Sequence, residues 1–145
     1  MAVKPIPEGF HSVTPYLIVQ DVPKLLDFLA QAFAAEEIHR MTKPDGSVMH
    51  AQVKIGDSMV MMGQASGDYT PMPSMLYLYV EDVDSTYKQA LQAGATVVRE
   101  PKNEFYGDRS GGVKGPCGNE WWIATHVEDV PPNELAQREA AYVNQ

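Results

Sequence analysis

The chain's 145 residues are enough for one domain with a buried core, and 44% hydrophobic with 21% charged residues is ordinary for a globular protein. Eleven Lys and Arg against nineteen Asp and Glu give a net charge of −8, which argues against a nucleic-acid partner because phosphate backbones require a basic surface. No apolar run approaches the roughly 20 residues that span a bilayer, and no signal pattern begins the chain, so a soluble, cytoplasmic protein with no membrane partner is predicted. The single cysteine, Cys117, excludes an intramolecular disulfide and a multi-cysteine metal site.

The first predicted elements are a strand and a helix. β-Branched and aromatic residues at 13–19 indicate the strand, and Asp21 is placed to cap the helix after it. Prolines and a glycine interrupt residues 1–12, which predicts an extended arm ahead of the strand. Apolar residues then recur at helical spacing, so the helix is predicted to bury one face. This stripe consists of Val22, Leu26, Leu29 and Phe33.

Three further strands are predicted after the helix, at residues 38–41, 48–55 and 58–62, because turn signals separate three strand-like segments. In the middle one, apolar and polar side chains alternate, which predicts one face under the helix and one polar face. The apolar side chains are Met49, Ala51, Val53 and Ile55, and the polar ones are His50, Gln52 and Lys54.

The second half of the chain repeats the first. Residues 14–22, Thr-Pro-Tyr-Leu-Ile-Val-Gln-Asp-Val, and residues 75–83, Met-Leu-Tyr-Leu-Tyr-Val-Glu-Asp-Val, read as one phrase written twice. Asp82 is again placed to cap a helix, and Gly94 stands where a left-handed helix stop is usual. The chain is therefore predicted to contain two similar halves.

The pattern predicts one α+β domain over residues 1–145, in which each half is a module of strand, helix and three strands. The last strands of the second module are predicted at residues 96–99, 105–113 and 119–125, with a turn at Gly111-Gly112. After a proline pair, a terminal helix capped by Asn133 is expected. The boundaries are module one at 11–63, a linker at 64–74, module two at 75–126 and the C-terminal helix at 131–142.

A doubled βαβββ unit of this size resembles the vicinal oxygen chelate superfamily, which includes glyoxalase I, bleomycin resistance proteins and extradiol dioxygenases. The likeness covers about residues 11–134 and is closest to the branch often called PhnB-like. The phrases that carry it are His11-Ser-Val-Thr-Pro-Tyr16, Met49-His-Ala51 with Ile55-Gly-Asp-Ser58, Tyr79-Val-Glu-Asp-Val83, Gly107-Asp-Arg109 and Ile123-Ala-Thr-His126. The resemblance implies two modules whose mixed sheets curl into a cup with helices outside, and two chains that share surfaces as a homodimer.

In metal-dependent relatives each module offers one ligand in its first strand and another in its last, typically His and Glu. Carried over to this chain, those positions are Thr14, Met61, Met75 and Trp122. None is an imidazole or a carboxylate, and a thioether or an indole does not suit Zn, Ni, Mn or Fe(II). No metal or other cofactor is therefore expected. The alternative is a divalent metal held by relocated ligands such as His50 or Glu120.

Ten residues are predicted to contact a ligand on the cup face: Tyr16, His50, Gln52, Met61, Met75, Tyr77, Asp108, Arg109, Glu120 and Trp122. Three of them have an alternative. His50 could be a structural strand histidine, Arg109 could either bind a ligand carboxylate or phosphate or form an internal pair, and Trp122 could be a stacking platform or a plug. The Met and Tyr surface could instead be buried between two chains.

These observations predict a metal-free, homodimeric protein that binds a small hydrophobic or partly aromatic molecule in the cup. Bleomycin resistance proteins, which sequester a drug, are the implied parallel. A divalent-metal-dependent lyase, isomerase or dioxygenase is the alternative, and a scaffold protein with a filled cavity is a third possibility.

Overall fold

Residues 2–145 are described by a computed structural model in which eight strands and three helices follow one another in two similar halves. None of the helices formed by residues 2–145 is long and apolar enough to cross a membrane. The first half contains β1 (Tyr16–Val19), α1 (Val22–Phe33), β2 (Glu36–Thr42), β3 (Val48–Ile55) and β4 (Ser58–Gln64). The second half contains β5 (Met75–Tyr79), α2 (Val83–Gln92), β6 (Thr96–Asn103), β7 (Asp108–Lys114) and β8 (Glu120–His126), followed by α3 (Pro132–Val143).

Each half forms its own four-stranded mixed sheet. Sheet one has the strand order β1-β4-β3-β2 and sheet two has the order β5-β8-β7-β6. In both sheets the first strand pairs in parallel with the last, and the other pairs are antiparallel. The predicted α+β fold of two βαβββ modules is confirmed. Within one chain the two sheets stay separate and do not close.

The two helices of the modules begin where the repeated phrase predicts. The Asp21 carboxylate accepts a hydrogen bond from the backbone N–H of Lys24 at 3.1 Å, and the Asp82 carboxylate accepts one from Ser85 at 3.2 Å. Each bond satisfies an amide that has no partner inside its helix. Gly94 follows α2 with a φ of 112°, a conformation that glycine adopts without strain. By contrast, α3 begins after Pro131 with no side-chain cap, so the predicted Asn133 cap is wrong.

One hydrophobic core joins both modules, because α1 packs against its own sheet and against module two. The Phe33 ring lies 5.1 Å from the Trp121 ring between centroids, and the Gln89 side chain donates to the Gln31 carbonyl at 2.7 Å. Phe33 is only partly buried, and the buried face of α1 extends beyond the other three predicted residues. This face consists of Val22, Leu25, Leu26, Phe28, Leu29 and Ala32.

The turn predicted at Gly111-Gly112 is wrong, because β7 runs straight through both glycines. The chain reverses instead just before β7, where Gly107 has a φ of 101°. A Cβ atom on Gly111 would lie 2.9 Å from the backbone nitrogen of Pro101, and one on Gly112 would lie 2.8 Å from the Trp122 ring. The two glycines thus provide space for neighbouring groups rather than a turn.

The alternation predicted for β3 holds except at its start. The pairing of β2 with β3 shifts between Met41 and Thr42, so that Met41 faces His50 while Thr42 faces Val48. This bulge leaves Met49 as the extra residue, 43% exposed, and puts Val48 in the core. The prediction that Met49 lies under the helix is therefore wrong.

Candidate functional site

Each sheet leaves the face opposite its helix exposed, and we call this the open face. On β1, Leu17 is buried while Tyr16 is 48% exposed, and on β5 Tyr77 and Tyr79 are 45% and 61% exposed. Side chains in a strand point alternately to the two faces, so these tyrosines mark the open faces as predicted. Sheet one presents Tyr16, Ile18, His50, Gln52, Met61 and Gly63, and sheet two presents Met75, Tyr77, Tyr79, Asp108, Gly112, Glu120, Trp122 and His126.

The open face of sheet one contains a concave cavity of about 580 Å³. At its side the Tyr16 hydroxyl and His50 Nδ1 form a 3.2 Å hydrogen bond, and Gly63 makes room for the Tyr16 ring because a Cβ there would lie 2.7 Å from the hydroxyl oxygen. The cavity is lined by Tyr16, Ile18, Met41, Met49, His50, Gly63, Gln64, Ser66 and Tyr69.

Four of the predicted contact residues belong to sheet one. Tyr16 and His50 line the cavity. Gln52 and Met61 lie beside it on the same face, opposite each other in the pairing of β3 with β4, and the Gln52 amide nitrogen is 3.4 Å from His50 Nε2. Both ring nitrogens of His50 therefore have a side-chain neighbour, which fixes the imidazole at the edge of the cavity.

On sheet two, Trp122 lies across the strands and is covered by Arg99. The indole rests against Gly112, its Nε1–H donates to a Glu120 carboxylate oxygen at 3.2 Å, and the Arg99 guanidinium lies over the ring, 4.9 Å from its centroid. Arg99 is itself held by an ion pair with Glu104 at 2.7 Å. Trp122 is therefore packed against the surface of sheet two and covered by Arg99.

The carboxylate of Asp108 is the centre of a hydrogen-bonded cluster at the end of sheet two. Its Oδ2 accepts hydrogen bonds from the Tyr77 and Tyr79 hydroxyls, each at 2.8 Å, and its Oδ1 lies 2.9 Å from His126 Nδ1. The other ring nitrogen of His126 lies 2.7 Å from an Asp129 carboxylate oxygen. Asp108 is only 3% exposed, so these partners replace the water that an ionised carboxylate requires.

This cluster shifts the pKa values of its members in directions that keep Asp108 ionised. Burial by itself opposes ionisation, but the bonds from His126, Tyr79 and Tyr77 outweigh it and lower the pKa of Asp108. Burial, with the bonds to Tyr106 and Asp108, raises the pKa of Tyr77, and the bond to Asp108 raises that of Tyr79. The bonds to Asp108 and then Asp129 raise the pKa of His126.

Arg109 lies on the side of sheet two that carries the helix, not on the open face where it was predicted. Its Nε and Nη2 each donate to a carboxylate oxygen of Asp84 at 2.9 Å, a two-bond contact with the first turn of α2 that lowers the pKa of Asp84. Neighbours in a strand point to opposite faces, so Asp108 cannot be its partner. The guanidinium holds α2 on the sheet.

The four positions that carry metal ligands in metal-dependent relatives do not supply suitable donors. The pairings of Tyr16 with Met61 and of Tyr77 with Trp122 show that Met61 and Trp122 occupy equivalent places, but one is a thioether and the other an N–H donor. No three His, Cys, Asp or Glu side chains among residues 2–145 form a group that could hold a metal ion. The residues at the positions that the resemblance implies therefore do not fit a divalent metal.

Sequence reasoning did not place His126 or Tyr106 among the site residues. His126 follows Trp122 by four residues in β8, and this even spacing puts both on one face, which is the signal that could have found it. Tyr106 comes from the loop before β7 and reaches the Tyr77 hydroxyl at 3.4 Å. A loop residue has no such periodicity, so no pattern in the sequence indicates it.

Comparison with known proteins agrees with this architecture. Residues 9–123 match the model of the Glyoxalase/Bleomycin resistance protein/Dioxygenase superfamily. The uncharacterized protein Mb0911c of Mycobacterium bovis is 35% identical over an alignment 135 residues long that covers 86% of this chain and 89% of that protein. TioX from Micromonospora sp. ML1 has a TM-score of 0.70 at 23% identity over 81% of this chain and 99% of its own. The PhnB protein from Bacillus cereus has a TM-score of 0.63 at 16% identity, over 79% and 99%.

Proposed function

The chain belongs to the glyoxalase/bleomycin resistance protein/dioxygenase superfamily, and on this basis we propose that it binds a small hydrophobic or partly aromatic molecule without needing a metal. The observation that carries this proposal is the cavity on the open face of sheet one. Its volume of about 580 Å³ is that of a small-molecule site, and such sites combine apolar walls with a few polar groups.

The lining of the cavity suits a flat apolar ligand. Ile18, Met41 and Met49 supply apolar walls, and thioether side chains adapt to the shape of what they contact. Tyr16 and His50 are hydrogen-bonded to each other at one side, where they can orient a polar group of the ligand. Among residues 2–145, no carboxylate, lysine or arginine lines the cavity, which favours an uncharged ring system.

We further propose that two copies of the chain share the open faces. The helix-bearing sides of both sheets are used in one common core, so one chain cannot bring its own two open faces together. Large apolar side chains are left exposed along these faces and the linker, among them Tyr69, Met72 and Met75. A second copy would cover such a surface and close the cavity.

Native mass spectrometry of the protein as purified tests the oligomer and the metal together. We expect a species of two chains without metal, and any retained small molecule would appear as added mass. A dimer with one divalent metal per chain would instead support the lyase, isomerase or dioxygenase alternative, with ligands such as His50 from one chain and Glu120 from the other. A monomer would contradict the shared faces.

The cavity itself is tested with Nile red, an uncharged aromatic dye whose fluorescence rises in apolar surroundings. We expect Met49→Glu to weaken dye binding about tenfold, because a carboxylate in the cavity must lose its hydration when the dye binds. Met49 is exposed, so the fold tolerates the change. Val143→Glu, at the exposed end of α3, is the matched control and should leave binding unchanged. Equal affinity in both variants would remove the cavity as the site.

A further inference from the structure

Three tyrosines direct their hydroxyl groups to one end of sheet two. The hydroxyls of Tyr77 and Tyr79 both donate to Oδ2 of Asp108, and the Tyr106 hydroxyl lies 3.4 Å from that of Tyr77. Tyr77 and Tyr79 are nevertheless 45% and 61% exposed, while the carboxylate beneath them is buried. The cluster therefore places a buried carboxylate beneath two aromatic side chains that a ligand can contact.

The hydrogen bonds decide what kind of group the cluster can accept. A tyrosine hydroxyl has one proton to donate, and Tyr77 and Tyr79 both give theirs to Asp108. Their oxygens can then only accept from a further group, as the Tyr77 oxygen does from the Tyr106 hydroxyl 3.4 Å away, and each keeps at least one further acceptor position. Donation to a carboxylate makes them better acceptors. A ligand group at this position must therefore be a hydrogen-bond donor. The two carboxylates of Asp108 and Asp129, with the one imidazole of His126 between them, disfavour an anion.

The rings favour a positive charge on that donor. The Tyr77 and Tyr79 rings lie 5.3 Å apart between centroids and are inclined by 60°, so they contact each other at an angle and form a corner in which both rings remain partly exposed. The electron-rich faces of such rings attract organic cations. Tyr77, Tyr79 and His126 are among the residues that line a groove of about 1240 Å³ along the edge of β5, and Glu81 in the same lining adds negative charge.

The cations of the chain do not fill this corner within the part that the structure describes. His126 contacts Asp108 from the other carboxylate oxygen. Arg99 is paired with Glu104 and lies over Trp122, and Arg109 is bound to Asp84 on the opposite side of the sheet. The exposed faces of Tyr77 and Tyr79 are left for a group from outside.

We propose that Tyr77, Tyr79 and Asp108 form a binding site for the ammonium group of an alkyl- or arylammonium compound. The ammonium donates to the two phenol oxygens and lies against the rings, while Asp108 supplies the charge beneath them. The site lies on sheet two and uses residues of one chain, so it goes beyond the cavity on sheet one. In the dimer proposed above it requires that the partner leave the end of sheet two around Tyr77 and Tyr79 uncovered.

The test is an NMR titration of the full chain with benzylammonium, benzyl alcohol and benzoate at one pH and one salt concentration. These probes share a ring and differ in charge. We expect benzylammonium to bind at least about tenfold more tightly than benzyl alcohol, and to shift the resonances of residues 77–79 and 106–108. Equal affinity for the amine and the alcohol would overturn the proposal, as would tighter binding of benzoate.

Substitutions at Tyr79 separate the hydroxyl from the ring. We expect Tyr79→Phe to raise the benzylammonium Kd about threefold and Tyr79→Leu about tenfold, because the second change removes both the acceptor and the aromatic face. Tyr142→Phe, an exposed tyrosine on α3, is the control and should bind as the wild type does. Tyr79→Leu with wild-type affinity would overturn the site.

Asp108→Asn removes the negative charge and should weaken the binding of benzylammonium at least as much as Tyr79→Leu does. If that variant does not fold, the Tyr79 pair still decides the question. Resonances of Met49 and His50 report the sheet-one cavity in the same spectra. Failure of one site is therefore distinguishable from failure of the other.

Discussion

Tyr16 in sheet one and Trp122 in sheet two each cover a glycine of the neighbouring strand, but their surroundings differ. A Cβ on Gly63 would lie 2.7 Å from the Tyr16 hydroxyl oxygen, and one on Gly112 would lie 2.8 Å from Cε2 of the indole. Tyr16 is nearly half exposed beside a cavity, whereas Trp122 is covered by the Arg99 guanidinium. One aromatic side chain can move aside and the other is held in place.

The same contrast extends over the two open faces. The residues that line the sheet-one cavity include no carboxylate, lysine or arginine, whereas sheet two carries the buried Asp108 and the Arg99–Glu104 pair. An apolar cavity and a charged, hydrogen-bonded surface have thus been built on the same order of strands. The chemistry of each face depends on its side chains, not on the topology that the modules share.

Among substitutions on the two open faces, the largest loss of stability is expected at Asp108. Asp108→Ala should lower the free energy of unfolding by about 3 kcal/mol, because it leaves the hydroxyls of Tyr77 and Tyr79 and the imidazole of His126 without their buried acceptor. Urea unfolding followed by circular dichroism measures this change.

His50→Ala is the matched control on sheet one. His50 is half-buried and forms hydrogen bonds only to neighbouring side chains at the cavity. Its replacement should therefore lower the free energy of unfolding by less than about 1 kcal/mol. Equal losses in the two variants would mean that the Asp108 cluster does not stabilise sheet two more than His50 stabilises sheet one.

Gly63 and Gly112 provide a second comparison, for which we expect intermediate effects on stability. Gly112→Ala should cost about 1–2 kcal/mol, because the added methyl group must displace a ring that Arg99 covers. Gly63→Ala should change stability by less than about 0.5 kcal/mol, because only the exposed end of Tyr16, which a single hydrogen bond to His50 holds, has to move. Thermal unfolding of both variants gives the two shifts, and a larger loss for Gly63→Ala would contradict this account.

The sequence predicted the fold because its signals are local and repeated. The two copies of the phrase put Asp21 and Asp82 at helix starts, and the structure confirms both caps. Alternation along the strands placed Tyr16, His50 and Trp122 on the face opposite the helix, where they lie. Each inference needed only the period of a strand or a helix.

The remaining features depend on contacts between distant parts of the chain. Arg109 was predicted on the open face, but its long side chain reaches Asp84, which a helix brings to the other side. Gly111-Gly112 looks the same in sequence whether it makes a turn or leaves space for Trp122. No local pattern shows that α1 would pack on module two and keep the sheets apart.

A smaller effect is expected when Arg99 is removed from sheet two. Arg99→Ala should lower the free energy of unfolding by about 0.5–1 kcal/mol and expose the outer face of Trp122. Acrylamide should then quench the protein's fluorescence more strongly, while the buried Trp121 provides an unquenched background. Arg109→Ala breaks the pair with Asp84 but leaves the cover of Trp122 in place, so it should show no increase in quenching.

The smallest expected effect on stability is a pH dependence that comes from His126. It is small because this imidazole is half exposed and solvent screens its interactions. Its pKa is raised in the folded state by Asp108 and then Asp129, so its stabilising contribution is complete below the ordinary value of 6.5 and is lost as the pH rises through the folded value. The lowered pKa of Asp108 acts below about pH 4, outside this range. Urea unfolding of the wild type and of His126→Gln from about pH 6 to about pH 9 should show the wild type's advantage shrinking with pH. A difference that stays constant over this range would mean that His126 does not couple its protonation to the fold.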